Sequence, residues 1–139
     1  MRTVVGVVKA DLDARLIAVA QASLEAGDPI SAVRAMEGLH QRQLATSQTC
    51  LILAQALARL GNHERQLEVL GLLHELAPDE ADVHLRAAHM CRAAGLKIPA
   101  LRHAQRGVTI DDQRAEAWTL LCETQHDLCR YVEATKSLQ

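Results

Sequence analysis

The chain has 139 residues, of which 49% are apolar, and it carries a formal net charge of −2. A chain of this length forms one domain or one repeat array and buries about two-thirds of the surface that its unfolded form exposes. The small net charge argues against a nucleic-acid-binding surface and against general attachment to acidic membranes. Because Phe is absent, the expected core consists of Leu, Ala, Val and Ile, which suits closely packed helices.

The first twelve residues contain no recognisable targeting segment. Their apolar stretch at 4–8 is too short for a signal peptide or a membrane span, because charge returns at Lys9. Residues 1–12 are expected to form either an extension of the first helix or an extended arm that lies on a partner. Four cysteines occur near core positions without short-loop disulfide spacing, and we expect them to be reduced, half-buried thiols of a cytoplasmic protein: Cys50, Cys91, Cys122 and Cys129.

Four markers, spaced 34 positions apart, organise the rest of the chain. Three are glycines and one is a cysteine, and they stand at Gly27, Gly61, Gly95 and Cys129. Seven positions before each marker the residue is small, as a close approach of two helix backbones requires: Ala20, Ala54, Ala88 and Cys122. A fixed period of this size is typical of a stacked repeat array.

Each period predicts a helix, a turn at the marker and a second helix. Positions −11, −8, −7 and −4 form one amphipathic stripe, and positions +5, +9 and +12 form another. The resulting helix-turn-helix units are predicted at 13–46, 47–80, 81–114 and 115–139, the last incomplete. Within the first three units the helices are expected near 13–26 and 29–43, near 47–60 and 63–76, and from 79 or 80 to 94 and from 96 to 110. Asp28 and Ser47 are predicted N-caps.

These residues resemble the tetratricopeptide repeat (TPR) family, whose units combine a Trp or Leu start, a turn glycine, an alanine and a late proline. The resemblance covers residues 13–139 and rests on AEAW–LLC (115–122), LAQAL–LG (53–61) and LAPDEA (76–81). Gln66, Leu44 and Asp112 depart from the pattern. The resemblance implies an all-α fold, a right-handed superhelical stack of units (an α-solenoid) whose first helices line a concave groove.

The resemblance assigns a set of residues to a peptide-binding groove. In the first two repeats they are largely apolar, and they are Ile17, Gln21, Leu24, Leu51, Ile52, Gln55 and Arg59. The third repeat contributes Leu85, Arg86, His89 and Arg92. Apolar residues on a face that should meet water favour a protein or peptide partner with aliphatic anchors. The alternative is that the aliphatic residues pack between helices and that the basic residues pair with Glu116, Glu123 or Asp127.

A carboxylate clamp of the type found in TPR co-chaperones is not expected. The positions that would form it carry Ile17, Gln21, Ile52, Asp82 and Arg86. Only Arg86 has a suitable side chain, which argues against a chaperone-tail clamp.

A second predicted surface lies at the C-terminal end of the array. TPR arrays usually close with an extra helix that has a polar outer face, but the last repeat carries apolar residues at Trp118, Leu121, Tyr131 and Leu138. Either the chain is a piece of a longer protein, or a second molecule covers this end. That molecule is expected to be another copy of the chain, forming a homodimer, or a different partner.

No catalytic, cofactor-binding or metal-binding residues are expected. Cys122, His126 and Cys129 have a spacing that suggests metal ligands, but they share one helix, whereas zinc ligands usually converge from two elements. The seven histidines are scattered, and His84 is expected to pack at the position that Trp118 has in the last repeat. Because phosphate loops, nucleophile elbows and carboxylate clusters are absent from the sequence, an enzyme is not expected.

The sequence therefore predicts a non-catalytic module that binds an apolar or amphipathic peptide in the TPR groove. Among small TPR proteins, the resemblance allows a bacterial chaperone that shields an apolar segment of a type III secretion substrate. The alternative is a structural or regulatory assembly subunit, or a fragment of a larger TPR protein, that docks through its C-terminal end. Nucleic-acid binding and membrane insertion are not expected.

Overall fold

The structure is a computed structural model that describes the backbone of residues 4–137 and the side chains of residues 12–133, 135 and 136. These residues form eight α-helices and no strand, which confirms the predicted all-α class. The helices are α1 Val4–Glu25, α2 Pro29–Gln41, α3 Ser47–Leu60, α4 His63–Gly71, α5 Leu73–Leu76, α6 Ala81–Ala93, α7 Lys97–Ile110 and α8 Ala115–Ser137. Within this described part, no helix is long and apolar enough to cross a membrane.

The described chain divides into two compact units, one up to Leu70 and one from Gly71 onwards. In the first unit α1 packs on α2, α2 packs on α3, and α1 also touches α3. In the second unit α6 packs on α7, α7 packs on α8, and α6 also touches α8. Each unit is therefore built from helices that fold back on their neighbours in the chain.

Three glycines in the left-handed conformation end the first helices of the first three repeats. Gly27, Gly61 and Gly95 have φ angles of 81°, 74° and 77°. After Gly61 the backbone N–H of Asn62 donates to the carbonyl oxygen of Leu57 at 3.0 Å, as in a Schellman motif. A residue with a Cβ atom is disfavoured in this conformation, although Gln43 adopts it after α2 with a φ angle of 60°.

Side chains cap the starts of α2 and α3, but only one of the two caps is the predicted residue. At the start of α2 the Asp28 carboxylate accepts from the N–H of Ser31 at 3.3 Å, as its predicted role requires. At the start of α3 the cap is Thr46 rather than the predicted Ser47. The Thr46 hydroxyl accepts from the N–H of Thr49 at 3.2 Å, and the Thr46 N–H donates to the Thr49 hydroxyl at 2.8 Å. This reciprocal pair is a capping box.

The fourth repeat differs from the prediction, because α8 is one helix of 23 residues that continues through Cys129. The sequence predicts a turn at that position, by analogy with the three glycines. Cysteine carries a Cβ atom and disfavours the left-handed conformation that those turns use. The helix is therefore not ended at Cys129, and the fourth repeat has no helix-turn-helix pair within the described residues.

Two other helices also differ from their expected bounds. Helix α1 begins at Val4, which agrees with the helix extension that was one of the two alternatives for residues 1–12, and residues 1–3 lie outside the described part. The second helix of repeat two is divided at Leu72 into α4 and α5. Gly71, which has low helix propensity, immediately precedes this break.

Small residues occupy the helix contacts, but the cysteines divide into two classes. Ala20, Ala54 and Ala88 are fully buried, as their shared repeat position predicts. Cys50 and Cys91 are buried free thiols, and burial raises the pKa of Cys50 to about 11 and that of Cys91 to about 12. By contrast, the two cysteines of α8 are exposed, which corrects the expectation that they are half-buried.

Gly107 allows α6 and α7 to approach closely in the second unit. A Cβ atom added to Gly107 would lie 2.8 Å from Cδ2 of Leu85. Leu85 is itself enclosed by a buried cluster that includes Ala88, Ala104 and Leu120, so its side chain has little room to move. The contact between α6 and α7 therefore depends on the missing side chain at Gly107.

Substitution Gly107→Ala is expected to lower the free energy of unfolding by about 1–2 kcal/mol, because the added methyl group overpacks the core. The control is Gly38→Ala in α2, where an added Cβ would meet no atom within 4 Å. That change is expected to raise stability by about 0.5–1 kcal/mol, since alanine favours helix. Urea unfolding followed by circular dichroism measures both, and effects of the same sign would contradict this description of the α6–α7 contact.

Candidate functional site

Four of the aliphatic residues assigned to the groove lie in the protein interior. Leu24, Leu51, Ile52 and Leu85 are only 5%, 4%, 6% and 2% exposed. Ile17 is half-buried. These side chains stabilise the helix packing and offer little surface to a ligand. The structure thus corrects the prediction of an apolar groove and agrees with the alternative, in which the aliphatic residues pack between helices.

The polar residues assigned to the groove in the first unit lie at the surface. Gln21, Gln55 and Arg59 are exposed. The guanidinium of Arg59 donates to the backbone carbonyl of Leu24. The same carbonyl oxygen also accepts from the backbone N–H of Gly27 at 3.2 Å, so Arg59 adds a second donor at the end of α1 and its role is at least partly structural.

In the second unit, ion pairs hold most of the basic residues assigned to the groove. Arg92 Nε lies 2.7 Å from a carboxylate oxygen of Asp127, and its Nη1 lies 2.6 Å from Glu123. The hydrogen bond to Asp127 raises the pKa of Arg92, and the hydrogen bond from Arg92 lowers the pKa of Asp127. His89 Nε2 is 3.9 Å from Glu116. These contacts join α6 to α8, as the ion-pair alternative predicts.

Arg86 differs from its neighbours in this respect. Its side chain is exposed, and the described residues include no ion-pair or hydrogen-bond partner for it. Of the three basic residues that the sequence assigns to the third-repeat groove, Arg86 is therefore the one most available to a ligand.

The residues predicted for the C-terminal docking face have different environments. Trp118 and Tyr131 are 46% and 56% exposed, whereas Leu121 is partly buried against the core cluster of the second unit. Leu138 lies outside the described residues. The indole Nε1–H of Trp118 donates to the carbonyl oxygen of Asp112 at 2.7 Å. This bond fixes the Trp118 ring against the loop before α8.

A cleft of about 410 Å³ lies between the start of α7 and the second half of α8, and it is lined by Gly95, Lys97, Ile98, Pro99, Leu128 and Tyr131. Ile98 is 55% exposed and Tyr131 is 56% exposed. Lys97 Nζ lies 5.7 Å from the centre of the Tyr131 ring, a cation–π distance. The cleft thus combines exposed apolar side chains with one positive charge.

A partly buried histidine cluster, formed by His74 of α5, His84 of α6 and His103 of α7, also lies in the second unit. The Nδ1 atoms of His84 and His103 are 3.1 Å apart. Nε2 of His84 is 2.8 Å from the carbonyl oxygen of Ala77. The rings of His74 and His103 are stacked, with centroids 4.4 Å apart. His84 is buried, as the sequence predicts, but its two imidazole partners were not predicted.

The contacts of the histidine cluster define its protonation. A carbonyl oxygen only accepts, so His84 carries its proton on Nε2 and accepts at Nδ1 from His103. Burial lowers the pKa of His84, and burial, with a further contribution from His74, lowers the pKa of His103 to about 3. Burial also lowers the pKa of the more exposed His74, and Arg106 and Arg102 lower it further. The three rings are therefore neutral near pH 7.

The histidine cluster is also the place in the described chain where three potential metal-ligand atoms converge. One ligand atom from each ring lies within 4.8 Å of the others. The stripe weighed in the sequence, Cys122, His126 and Cys129, is exposed on α8 and is not such a group. Short sequence motifs do not signal the cluster, because its members come from three different helices.

Comparison with known proteins identifies the fold. No family model matches the chain, and no curated protein sequence matches it. The first TPR domain of human RPAP3 matches the structure with a TM-score of 0.68 at 14% identity, over 85% of this chain and 93% of that one. This chain has a TPR fold. Two crystal structures of MamA also match it, with TM-scores of 0.67 and 0.59 at 16% and 15% identity, over 94% and 91% of this chain and 73% and 85% of theirs.

Acid is expected to destabilise the TPR fold through the partly buried histidine cluster. The folded-state pKa of His103, about 3, lies below the ordinary value of 6.5. Between these values the unfolded chain binds the additional proton, so the stability present above pH 6.5 is lost as the pH falls towards 3. The expected loss is about 1 kcal/mol for each pH unit. Urea unfolding at several pH values from neutral downwards measures it.

His103→Gln is the informative variant, because glutamine keeps a neutral polar partner for His84 without the titrating ring. Its free energy of unfolding should depend less on pH over this range. If His103→Gln shows the same acid sensitivity as the unmodified chain, His103 is not the group responsible.

Proposed function

We propose that this protein is a non-catalytic module that binds an apolar or amphipathic segment of another protein in the cleft between α7 and α8. The observation that supports the proposal is the exposure of Ile98 and Tyr131, each more than half accessible, beside a cleft of about 410 Å³. Exposed apolar side chains around a concave surface are typical of binding sites, because binding removes them from water. The TPR resemblance implies the same kind of role.

The expected ligand is a helical segment. Leu128, Tyr131 and Val132 are spaced three and four positions apart, so they form one stripe along α8. Tyr131 and Val132 are 56% and 43% exposed. An amphipathic helix fits such a stripe when its own apolar residues recur at the same spacing. Lys97 at the edge of the cleft favours an acidic residue beside the ligand's apolar anchor.

The proposal includes two alternative roles, and each role has its own kind of partner. A bacterial secretion chaperone would use the cleft to shield an apolar segment of a type III secretion substrate in the cytoplasm, where free thiols such as Cys50 and Cys91 persist. An assembly or regulatory subunit would use the same end to dock a partner protein or a second copy of this chain. Both forms place the main contacts at Ile98 and Tyr131.

Ligand binding at the predicted groove is the second candidate. The aliphatic groove residues are buried, so among the groove residues predicted in the third repeat the exposed side chains are those of Arg86 and His89. A ligand at these residues would be recognised by charge and hydrogen bonds, with an acidic group near Arg86. Substitution Arg86→Glu separates the two sites, because it should weaken a groove ligand and leave a ligand of the α7–α8 cleft unaffected.

Ile98→Glu is the direct test of the cleft. Peptides selected from a displayed library on the unmodified protein should lose at least about tenfold in affinity for this variant, because a carboxylate would be buried against the ligand's apolar anchor. The measurement is fluorescence anisotropy of the labelled peptide, with circular dichroism to confirm that the helices remain.

Ile30→Glu is the matched control. Ile30 follows the turn glycine of repeat one as Ile98 follows that of repeat three, and it is 53% exposed against 55% for Ile98. The change introduces the same charge at the equivalent position and should leave affinity unchanged. If the selected peptides bind the Ile98→Glu variant as well as they bind the unmodified protein, the cleft is not the binding site.

A further inference from the structure

The separation of the two buried imidazole nitrogens matches the separation of two ligands on one metal ion. Zinc binds histidine nitrogen at about 2.0–2.1 Å in tetrahedral sites, which places two such nitrogens about 3.3 Å apart. The Nδ1 atoms of His84 and His103 are 3.1 Å apart, and one possible ligand atom from each of the three rings, including His74, lies within 4.8 Å of the others. The Nδ1 atoms of His84 and His103 are therefore separated by nearly the distance at which both would bind one zinc ion.

A separate observation concerns the far side of the His84 ring. Its Nε2–H donates to the carbonyl oxygen of Ala77 at 2.8 Å. Histidines that bind metal almost always donate their other ring N–H to a carbonyl or carboxylate, which fixes the tautomer and aims the free lone pair at the ion. In this chain the bond to Ala77 directs the lone pair of Nδ1 towards His103.

From this arrangement we infer that His74, His84 and His103 form a binding site for a divalent transition-metal ion, for which Zn²⁺ is the best match. Three neutral imidazoles are a ligand set that Zn²⁺ accepts, and they leave a fourth coordination position for water or another ligand. The site is distinct from the cleft between α7 and α8, and it does not depend on the proposed function.

Two adjustments accompany metal binding. His103 moves its proton from Nδ1 to Nε2, a change of tautomer that releases no proton, so that its Nδ1 lone pair becomes a ligand. The more exposed ring of His74 turns to bring its nitrogen to coordination distance. The buried pair supplies a preformed half of the site, and His74 completes it from the solvent side.

The charges around the cluster limit the strength of the site. Arg102 and Arg106 lie near His74, and Arg106 also acts on His84, where Glu80 has the opposite effect. Two cations close to a cation site oppose binding. We therefore expect weaker binding than in a zinc site built with cysteine thiolates.

The metal would join three helices of the second unit. His74, His84 and His103 belong to α5, α6 and α7. An ion that binds the folded chain and not the unfolded chain raises the stability of the fold. Zinc is thus expected to raise the melting temperature, and that rise should require all three imidazoles.

The test titrates the full chain, after treatment with a chelator, with Co²⁺ and follows the visible absorption. One equivalent is expected to bind with the ligand-field bands of nitrogen-coordinated tetrahedral cobalt and without a thiolate charge-transfer band. Competition with Zn²⁺ should remove those bands. A thiolate band, or absence of binding to the unmodified chain, would overturn the proposal.

His74→Ala is the decisive variant, because the residue is exposed and its loss should not disturb folding. It is expected to weaken metal binding at least about tenfold and to abolish the rise in melting temperature with Zn²⁺. The matched control is His40→Ala, since residues 40 and 74 occupy the same position in consecutive repeats. Equal metal affinity of the His74→Ala and His40→Ala variants would overturn the proposal.

Discussion

The architecture depends on where the backbone can take a left-handed conformation at the end of a first helix. Glycine meets that requirement at three positions in register, and a second helix begins shortly after each of them. Cys129 occupies the fourth position and does not meet it, so α8 continues as one helix. The length of α8 in turn creates the cleft, because Tyr131 lies in the part of the helix beyond the missing turn and faces the start of α7. The candidate binding surface thus depends on the continuation of α8 through Cys129.

The sequence predicted the fold well, because periodicity reports which residues share a helix face. The three glycine turns and the buried alanines at 20, 54 and 88 follow from that register. Periodicity does not report how far neighbouring helices cover a face. Leu51 and Ile52 occupy positions that the TPR resemblance assigns to the groove, yet they are buried. The prediction therefore treated apolar side chains as available to a ligand although the neighbouring helices bury them.

The histidine cluster shows a different limit of sequence reasoning. Its members come from three helices and have no short spacing, so their meeting depends on how α5, α6 and α7 pack. Repeat register alone does not predict it either, because the equivalent residues one period earlier are His40, Cys50 and Val69. Those three residues include only one imidazole. The cluster therefore belongs to one interface of the array, where ordinary repeat packing places chemically unusual side chains together.

The continuity of α8 is the most direct test of this account. Backbone NMR assignment of the full chain gives the Cα chemical shifts and the short-range proton contacts of residues 126–132. The account predicts helical shifts and unbroken contacts between residues three apart through Cys129. A reversal of the shifts at Cys129, with loss of those contacts, would show a turn like the one at Gly95 and would contradict both the single helix and the cleft that depends on it.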